Sequence, residues 1–559
     1  MIKALLYCFL VISTINPSTS KPETFTNPVL KGGYPDPSVT RVEDTYYMVN
    51  SSFEYFPGLP LHISKDLINW KPVGYALHRK SQVTGDVNLV DVQSDGGIHA
   101  PSIRYHDGLF YVITTNVYVA PAENSEVEFV NFILTAKSIE GPWSDPVVVK
   151  GAPGIDPDIF FDDDGRVWYV GTQAPENPNF DGEGEIWIQQ LDKSDWQLTG
   201  EKYLLWRGAC RGLWAEGPHI YKRDGRYYLM VAEGGTSFNH AVTIAVSDDI
   251  TGPYVSNDRN PILTSRHLTY DNWVNSTGHA DLVELHDGRW VAVMLGIRAD
   301  NKRKTNMGRE THIAPVIWER EPFEWKENRY LWPVIAPNTG RVERENPVFF
   351  EGTKQQKRQH FRDEFENNKL GVSWNFRRVP LQDIYQLSPD NGGQLKLTVR
   401  PEVLKERGRA AWLGFRQTES SFTYTASMQM TTNTPGVEAG ISLVQKDINY
   451  LNLLVKRTDD NYQLQLTIAQ PGKAPTVKEA VELRDYKGQI QLRVISDNKQ
   501  YRYEYSLDDG KEYKLLTTTS ADLILSQKYT GANLGLYATS NGQKVTESVT
   551  FDWVDYKVN

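Results

Sequence analysis

Trp214-Ala215-Glu216-Gly217-Pro218-His219-Ile220-Tyr221-Lys222-Arg223-Asp224-Gly225-Arg226-Tyr227-Tyr228-Leu229 holds a whole structural unit in sixteen residues. A polar residue opens the functional part, a Pro follows closely, and a short apolar run leads to Asp-Gly and an aromatic-rich strand. Asp-Gly between two strand-like runs marks a β-hairpin, because Gly adopts positive φ without steric cost. The same construction occurs five times before residue 340. The hairpin aspartates are Asp44, Asp107, Asp164, Asp224 and Asp287, and the first copy carries Thr45 where the others carry Gly. The intervals are 63, 57, 60 and 63 residues. A nearly fixed period of this length, with several short strands per unit, is the signature of a β-propeller, here of five blades.

Eight residues before each hairpin Asp stand Asp36, His99, Asp156, Glu216 and His279. All five are ionisable. If each blade's first strand starts at the central axis, these side chains form one ring facing a shared funnel. Three acids near one axis cannot all ionise easily, so at least one pKa is pushed up. Two carboxyls with separated pKa values are what glycosidic hydrolysis requires, one to protonate the leaving oxygen and one to activate water or attack. The offset alone does not say which acid keeps its proton. An aromatic content of 11% suits sugar recognition, since rings stack on the apolar faces of sugars.

The 559 residues carry a net charge of −10, and the basic residues form no long block, which argues against a nucleic-acid partner. Nor is there a basic amphipathic helix to suggest a membrane surface. Lys3, the apolar run Ala4 to Ile15 and the small polar residues up to Ser20 read as a cleaved signal peptide over 1–20, hence a secreted or periplasmic protein without a membrane anchor. Cys8 falls inside this segment, leaving Cys210 unable to form an internal disulfide. The chain must then hold itself by a large core.

The propeller is expected over 21–340, with a Pro- and Gly-containing linker over 341–360 that wraps back onto it. From 361 to 559 the period disappears while alternating strands continue, as in Gln394 to Val399, Tyr462 to Leu466 and Val549 to Val554. Many strands at short spacing predict a two-sheet β-sandwich without a catalytic constellation of its own. The fold class is all-β.

The chain resembles glycoside hydrolase family 43. The resemblance rests on Gly33-Tyr34-Pro35-Asp36-Pro37-Ser38, Gly154-Ile155-Asp156-Pro157, Glu216-Gly217-Pro218-His219, Ala232-Glu233-Gly234-Gly235-Thr236, Gly278-His279-Ala280-Asp281 and Gly308-Arg309-Glu310-Thr311, in the family's order. The tail resembles the concanavalin-A-like sandwich of its β-xylosidase and arabinofuranosidase branches. The resemblance implies an inverting hydrolase with Asp36 as general base, Glu216 as general acid and Asp156 as the residue that orients the acid and tunes its pKa. Asp158 is the rival for that third role. The resemblance further implies that Arg309 and Phe53 bind the sugar. It makes His279 an axial residue that holds a hydrated calcium through water in some relatives, though no cofactor is required. At Gly97-Ile98-His99-Ala100-Pro101 many relatives carry Trp where this chain has His99, which lies beside the pocket and puts a plain β-xylosidase assignment in doubt. The expectation is an exo-acting α-L-arabinofuranosidase working on hemicellulose side chains. A β-xylosidase is the alternative, and a non-catalytic carbohydrate-binding protein is the alternative of another class.

Overall fold

The computed structural model describes residues 23–559 apart from 210, 300–303, 323–329, 358–359, 406 and 527–528. The signal-peptide expectation and Cys210 lie outside the described residues. Each hairpin unit builds one antiparallel meander. The first sheet contains Ser38–Val42, Thr45–Val49, Gly58–Ser64 and Lys71–Leu77. The second runs from Gly97–His106 to Val147–Val148, the third from Asp158–Phe161 to Leu198–Trp206, the fourth from Glu216–Arg223 to Val255–Ser256, and the fifth from Val274–Glu284 to Pro333–Ile335. The all-β reading and the propeller-plus-sandwich architecture hold.

The repeated Asp-Gly makes two kinds of turn. Asp107-Gly108 and Asp224-Gly225 are two-residue loops with both residues at positive φ, the geometry that matches strand twist. In the third and fifth sheets the Gly sits inside a longer loop, between the pairs Phe161–Val167 and Glu284–Trp290.

Neighbouring sheets bury apolar side chains against each other. Val39, Tyr46 and Met48 of the first pack with Val283, Val291 and Val293 of the fifth, which closes the circle. The N-terminal segment strengthens that closure. Asn27 exchanges hydrogen bonds with the Ile313 backbone, its Nδ2 donating to the carbonyl (2.9 Å) and its Oδ1 accepting from the N–H (3.0 Å). Thr24–Thr26 in turn pairs with Glu345–Pro347, inside the expected linker, and Phe349 packs on Phe25. Residues 345–349 of the expected linker are thus docked on the propeller's N-terminal segment.

The C-terminal half forms an eight-stranded and a six-stranded sheet around one core, with Tyr424, Met428, Ile441, Leu453, Leu492 and Leu536 fully enclosed. Two seams join it to the propeller. In one, Phe376–Arg377 pairs with Tyr55–Phe56, over a buried ionic knot. There Arg377 donates to Glu54 (2.7 Å) and Asp447 (2.9 Å), and Arg378 donates to Asp447 (2.6 Å). In the other, Thr305 and Ser526 exchange backbone hydrogen bonds, and Ala532 N–H donates to Asn306 O at 2.6 Å. A Cβ on Gly308 would sit 2.4 Å from Gly531 N, so only glycine lets the two backbones approach this closely.

Candidate active site

Asp36, Asp156 and His279 have φ of 49°, 55° and 47°. In the second and fourth sheets the positive φ falls one residue later, at Ala100 and Gly217, within β-bulges that insert a residue between His99 and Ser102 and between Glu216 and His219. Left-handed conformations in non-glycine residues are costly and gather at functional sites. At Gly217 the glycine also has a packing reason. A Cβ there would meet the His279 ring at 2.8 Å.

A few residues deeper, a polar network ties the five first strands together. Asp281 accepts from Ser38 Oγ (2.8 Å), Val39 N–H (3.1 Å), Arg104 Nη1 (3.1 Å) and Tyr221 OH (2.6 Å). Arg104 Nη2 donates to Asp158, and Asp158 also lies 2.8 Å from His219 Nδ1. Burial would raise the Asp281 pKa, but Arg104, His219 and the hydroxyl donors overcome it and hold the carboxyl far below the usual range. Asp158, the rival of Asp156 in sequence, spends both oxygens on this network and its own strand. The sequence reasoning missed the network as a whole. The signal available was the recurrence of polar residues two to five positions after each ring residue.

Above the network the three ring carboxyls lie in different electrostatic settings. Asp36 accepts from Ser51 Oγ (2.6 Å) and Arg309 Nη1 (3.2 Å), while Ser51 Oγ also receives the Ala100 N–H at 2.7 Å. Burial would raise the Asp36 pKa, yet His279, Arg309 and Ser51 hold it below the ordinary value. Burial itself pushes the His279 imidazole down to about 4, so it is uncharged at neutral pH. The Arg309 cation and the Ser51 hydroxyl are then what keeps Asp36 ionised there. Asp156 goes the other way. Burial, then the charges of Glu216 and Asp36, push it well up. Burial also pushes Glu216 up to about 7, with Arg309 opposing and Asp36 adding. Glu216 is only partly buried, so its desolvation deepens if a ligand covers it. Asp156 and Glu216 thus both favour their protonated forms, while Asp36 favours its ionised one.

Arg309 reaches this position through its motif. Glu310 accepts a two-pronged contact from Arg298 (2.7 and 2.9 Å) and the Gly32 N–H (2.8 Å), and Tyr34 N–H donates to Arg309 O at 3.1 Å. Arg309, just before the strand Glu310–Trp318, is thereby fixed beside Tyr34-Pro35-Asp36. Arg309 Nη2 donates to Thr236 O at 2.6 Å, whereas Nε is buried with no partner among the described residues. Nη1 and Nη2 each keep a second N–H for a ligand hydroxyl.

Phe53, at φ 50°, packs edge-on against His99 with ring centres 4.9 Å apart. His99 Nδ1 donates to Gly97 O at 3.0 Å, so the neutral imidazole offers Nε2 as an acceptor, and burial lowers its pKa. A third ring completes the group. Tyr529, from the sandwich, lies 5.6 Å from Phe53 and 5.9 Å from His99, and the Arg309 guanidinium stands 4.8 Å over it. The sandwich, expected to carry no catalytic constellation of its own, thus contributes a ring to the group around Arg309. Among the site residues named from sequence, Asp36, Asp156, Glu216, Arg309, Phe53, His99 and His279 all belong to this one interacting group.

The fit of His279 to a directly ligated calcium is poor. That ion takes six to eight oxygens. Among the described residues no three His, Cys, Asp or Glu side chains converge as a metal-ligand group. Contact through water is the one role left to His279 toward such an ion.

A buried, unequally protonated set of carboxyls at the mouth of a propeller defines a glycoside hydrolase. Residues 25–323 match the family described as glycosyl hydrolases family 43, and residues 362–557 match the β-xylosidase C-terminal concanavalin A-like domain. The chain belongs to glycoside hydrolase family 43. It is 38% identical over 532 residues to a xylosidase/arabinosidase of Butyrivibrio fibrisolvens, covering 92% of this chain and 96% of that one. It is 34% identical over 544 residues to a non-reducing end α-L-arabinofuranosidase of Bacteroides ovatus, covering 96% and 95%. Among solved structures, a family 43 protein of the Bacteroides ovatus xyloglucan locus superposes with a TM-score of 0.84 at 32% identity, over 96% of this chain and 100% of the other.

Proposed function

We propose that the protein removes single terminal α-L-arabinofuranosyl residues from plant hemicellulose side chains, with inversion at the anomeric carbon. The observation that carries the reading is the split in protonation. Asp36 is held ionised by Arg309 and Ser51, while the Asp156–Glu216 pair retains a proton. Asp36 takes a proton from water as its oxygen bonds to the anomeric carbon. The glycosidic C–O bond breaks, and Glu216 gives its proton to the departing oxygen. Inversion requires the two carboxyls to stand roughly 6.5–9.5 Å apart, leaving room for the water. Asp156 acts through Glu216. Its proximity disfavours a second negative charge and so keeps the acid loaded. No step is routed through a metal.

Exo action is supported by Tyr529, which closes one side of the pocket over Arg309. Arabinose is favoured by the small polar His99 at the wall and by the arabinofuranosidase among the relatives. A β-xylosidase is the second reading, because arabinofuranose and xylopyranose can present similar hydroxyls to one pocket and relatives named β-xylosidase share the whole architecture. An N-terminal export signal would suit action on an external polysaccharide. The test compares release from para-nitrophenyl α-L-arabinofuranoside and β-D-xylopyranoside at equal enzyme concentration. A clear preference for the xyloside overturns the arabinose assignment. Binding of pentosides with no release from either overturns hydrolysis.

A further inference from the structure

Trp214 is a large aromatic side chain left 48% exposed, two residues before Glu216. Its backbone is left-handed, at φ 48°. A bulky residue in that conformation is strained, and such strain persists only where the surroundings impose it.

The surroundings do impose it. Trp214 N–H donates to Gly182 O at 2.7 Å, and Gly234 N–H donates to Leu213 O at 2.7 Å. The buried Glu233 carboxylate accepts from Ala209 N–H (2.5 Å) and Thr243 Oγ1 (2.8 Å), which pins the segment leading into Trp214. One side of the indole lies on a bed of glycines. A Cβ on Gly182 would meet Cε2 at 3.0 Å, and a Cβ on Gly235 would meet Cε3 at 2.6 Å. Both glycines are at positive φ. The ring is therefore held rigidly by one side, with the rest open to solvent.

Its location ties it to the reaction. Gly235 directly precedes Thr236, whose carbonyl holds Arg309 Nη2 at 2.6 Å in the sugar pocket. Trp214 also stands only two residues before Glu216, where the strand bearing the acid begins, so the indole and the acid share one stretch of the pocket rim. The acid must face the leaving oxygen, so the leaving-group sugar lies along that stretch as well.

We propose that Trp214 is the platform on which the leaving-group pyranose stacks, making it a specificity determinant on the aglycone side of the scissile bond. This rests on the hydrolase reading above and deepens it. A pyranose offers an apolar face of C–H bonds to an aromatic plane. A methyl leaving group offers no such face.

The test uses the full-length protein and two substrates of the pentose it releases, a xylo-oligosaccharide conjugate and the methyl glycoside. In Trp214→Ala the ratio of kcat/KM for oligosaccharide to that for methyl glycoside falls about tenfold, and Trp214→Tyr restores most of it. An unchanged ratio, including an equal loss on both substrates, overturns the proposal. Calorimetric titration with xylotriose in a Glu216→Gln background reads the platform without turnover. The expected result is about tenfold weaker binding when Trp214→Ala is added to that background. Equal affinity overturns the platform even if the enzyme is active. A wild-type protein that binds xylotriose through Trp214 yet releases no pentose overturns the hydrolase reading and leaves the platform standing.

Discussion

The Arg309 guanidinium stands 4.8 Å over the Tyr529 ring, and the two residues come from different domains. The propeller's Arg309, proposed to bind the sugar, is thus stacked on a ring that the sandwich supplies. Removing the ring should loosen substrate binding more than it slows chemistry. Tyr529→Ala is expected to raise KM about tenfold with a smaller change in kcat, while Tyr529→Phe stays near wild type because the ring is retained. Steady-state kinetics on an aryl pentoside checks both.

The pH profile follows from the carboxyl settings. In the proposed mechanism, turnover needs Asp36 ionised and Glu216 protonated. Asp36 is held below the ordinary carboxylate range, and Glu216 is raised to about 7. The profile of kcat/KM is therefore expected to stay high through weakly acidic pH and to fall as pH rises through about 7. Arg309→Met should move the acidic limb upward, since Asp36 loses its lasting cation.

Glu216→Gln should lower kcat about a thousandfold while sugar binding persists. It should also change stability with a defined sign. The folded pKa of Glu216 lies above its unfolded value, so the unfolded chain releases that proton first as pH rises, and ionisation works against the fold. Melting scans at pH 4 and pH 8 should show similar Tm values for the two proteins at the lower pH and a higher Tm for the variant at the higher pH.

Asp281 has the opposite sign. Its folded pKa is depressed, so its contribution is complete above the unfolded value of about 3.9 and disappears as pH falls below it. Asp281→Ala should destabilise the protein by roughly 3 kcal/mol at neutral pH, because Arg104 loses one buried partner. Its stability should also fall less steeply on acidification below about pH 4. Denaturant titrations across that range measure both effects.

The propeller was legible because a hairpin is local. Asp107-Gly108 and Asp224-Gly225 carry their turn geometry in two adjacent residues, and a fixed spacing then exposes the ring. What escaped was set by distant partners. The Arg104–Asp158–Asp281 network joins three sheets through side chains that look unremarkable one strand at a time. Thr530, beside Tyr529, bonds to Asp95 across 435 positions, and nothing near either residue encodes that meeting. Asp156 and Asp158 were separable from sequence only by offset and resemblance. Burial and partner choice give the physical difference, with one carboxyl saturated by donors and the other facing two acids.

The pairing of Thr24–Thr26 with Glu345–Pro347 bears on the order of manufacture. A chain emerges from synthesis start first, so the opening strand waits for a partner that appears only after all five sheets have been delivered. Asn27 can reach Ile313 as soon as the fifth sheet exists, but until residue 347 arrives the edge at Phe25 has no strand to pair with. The mate of the opening strand is thus supplied by residues that lie beyond the final sheet.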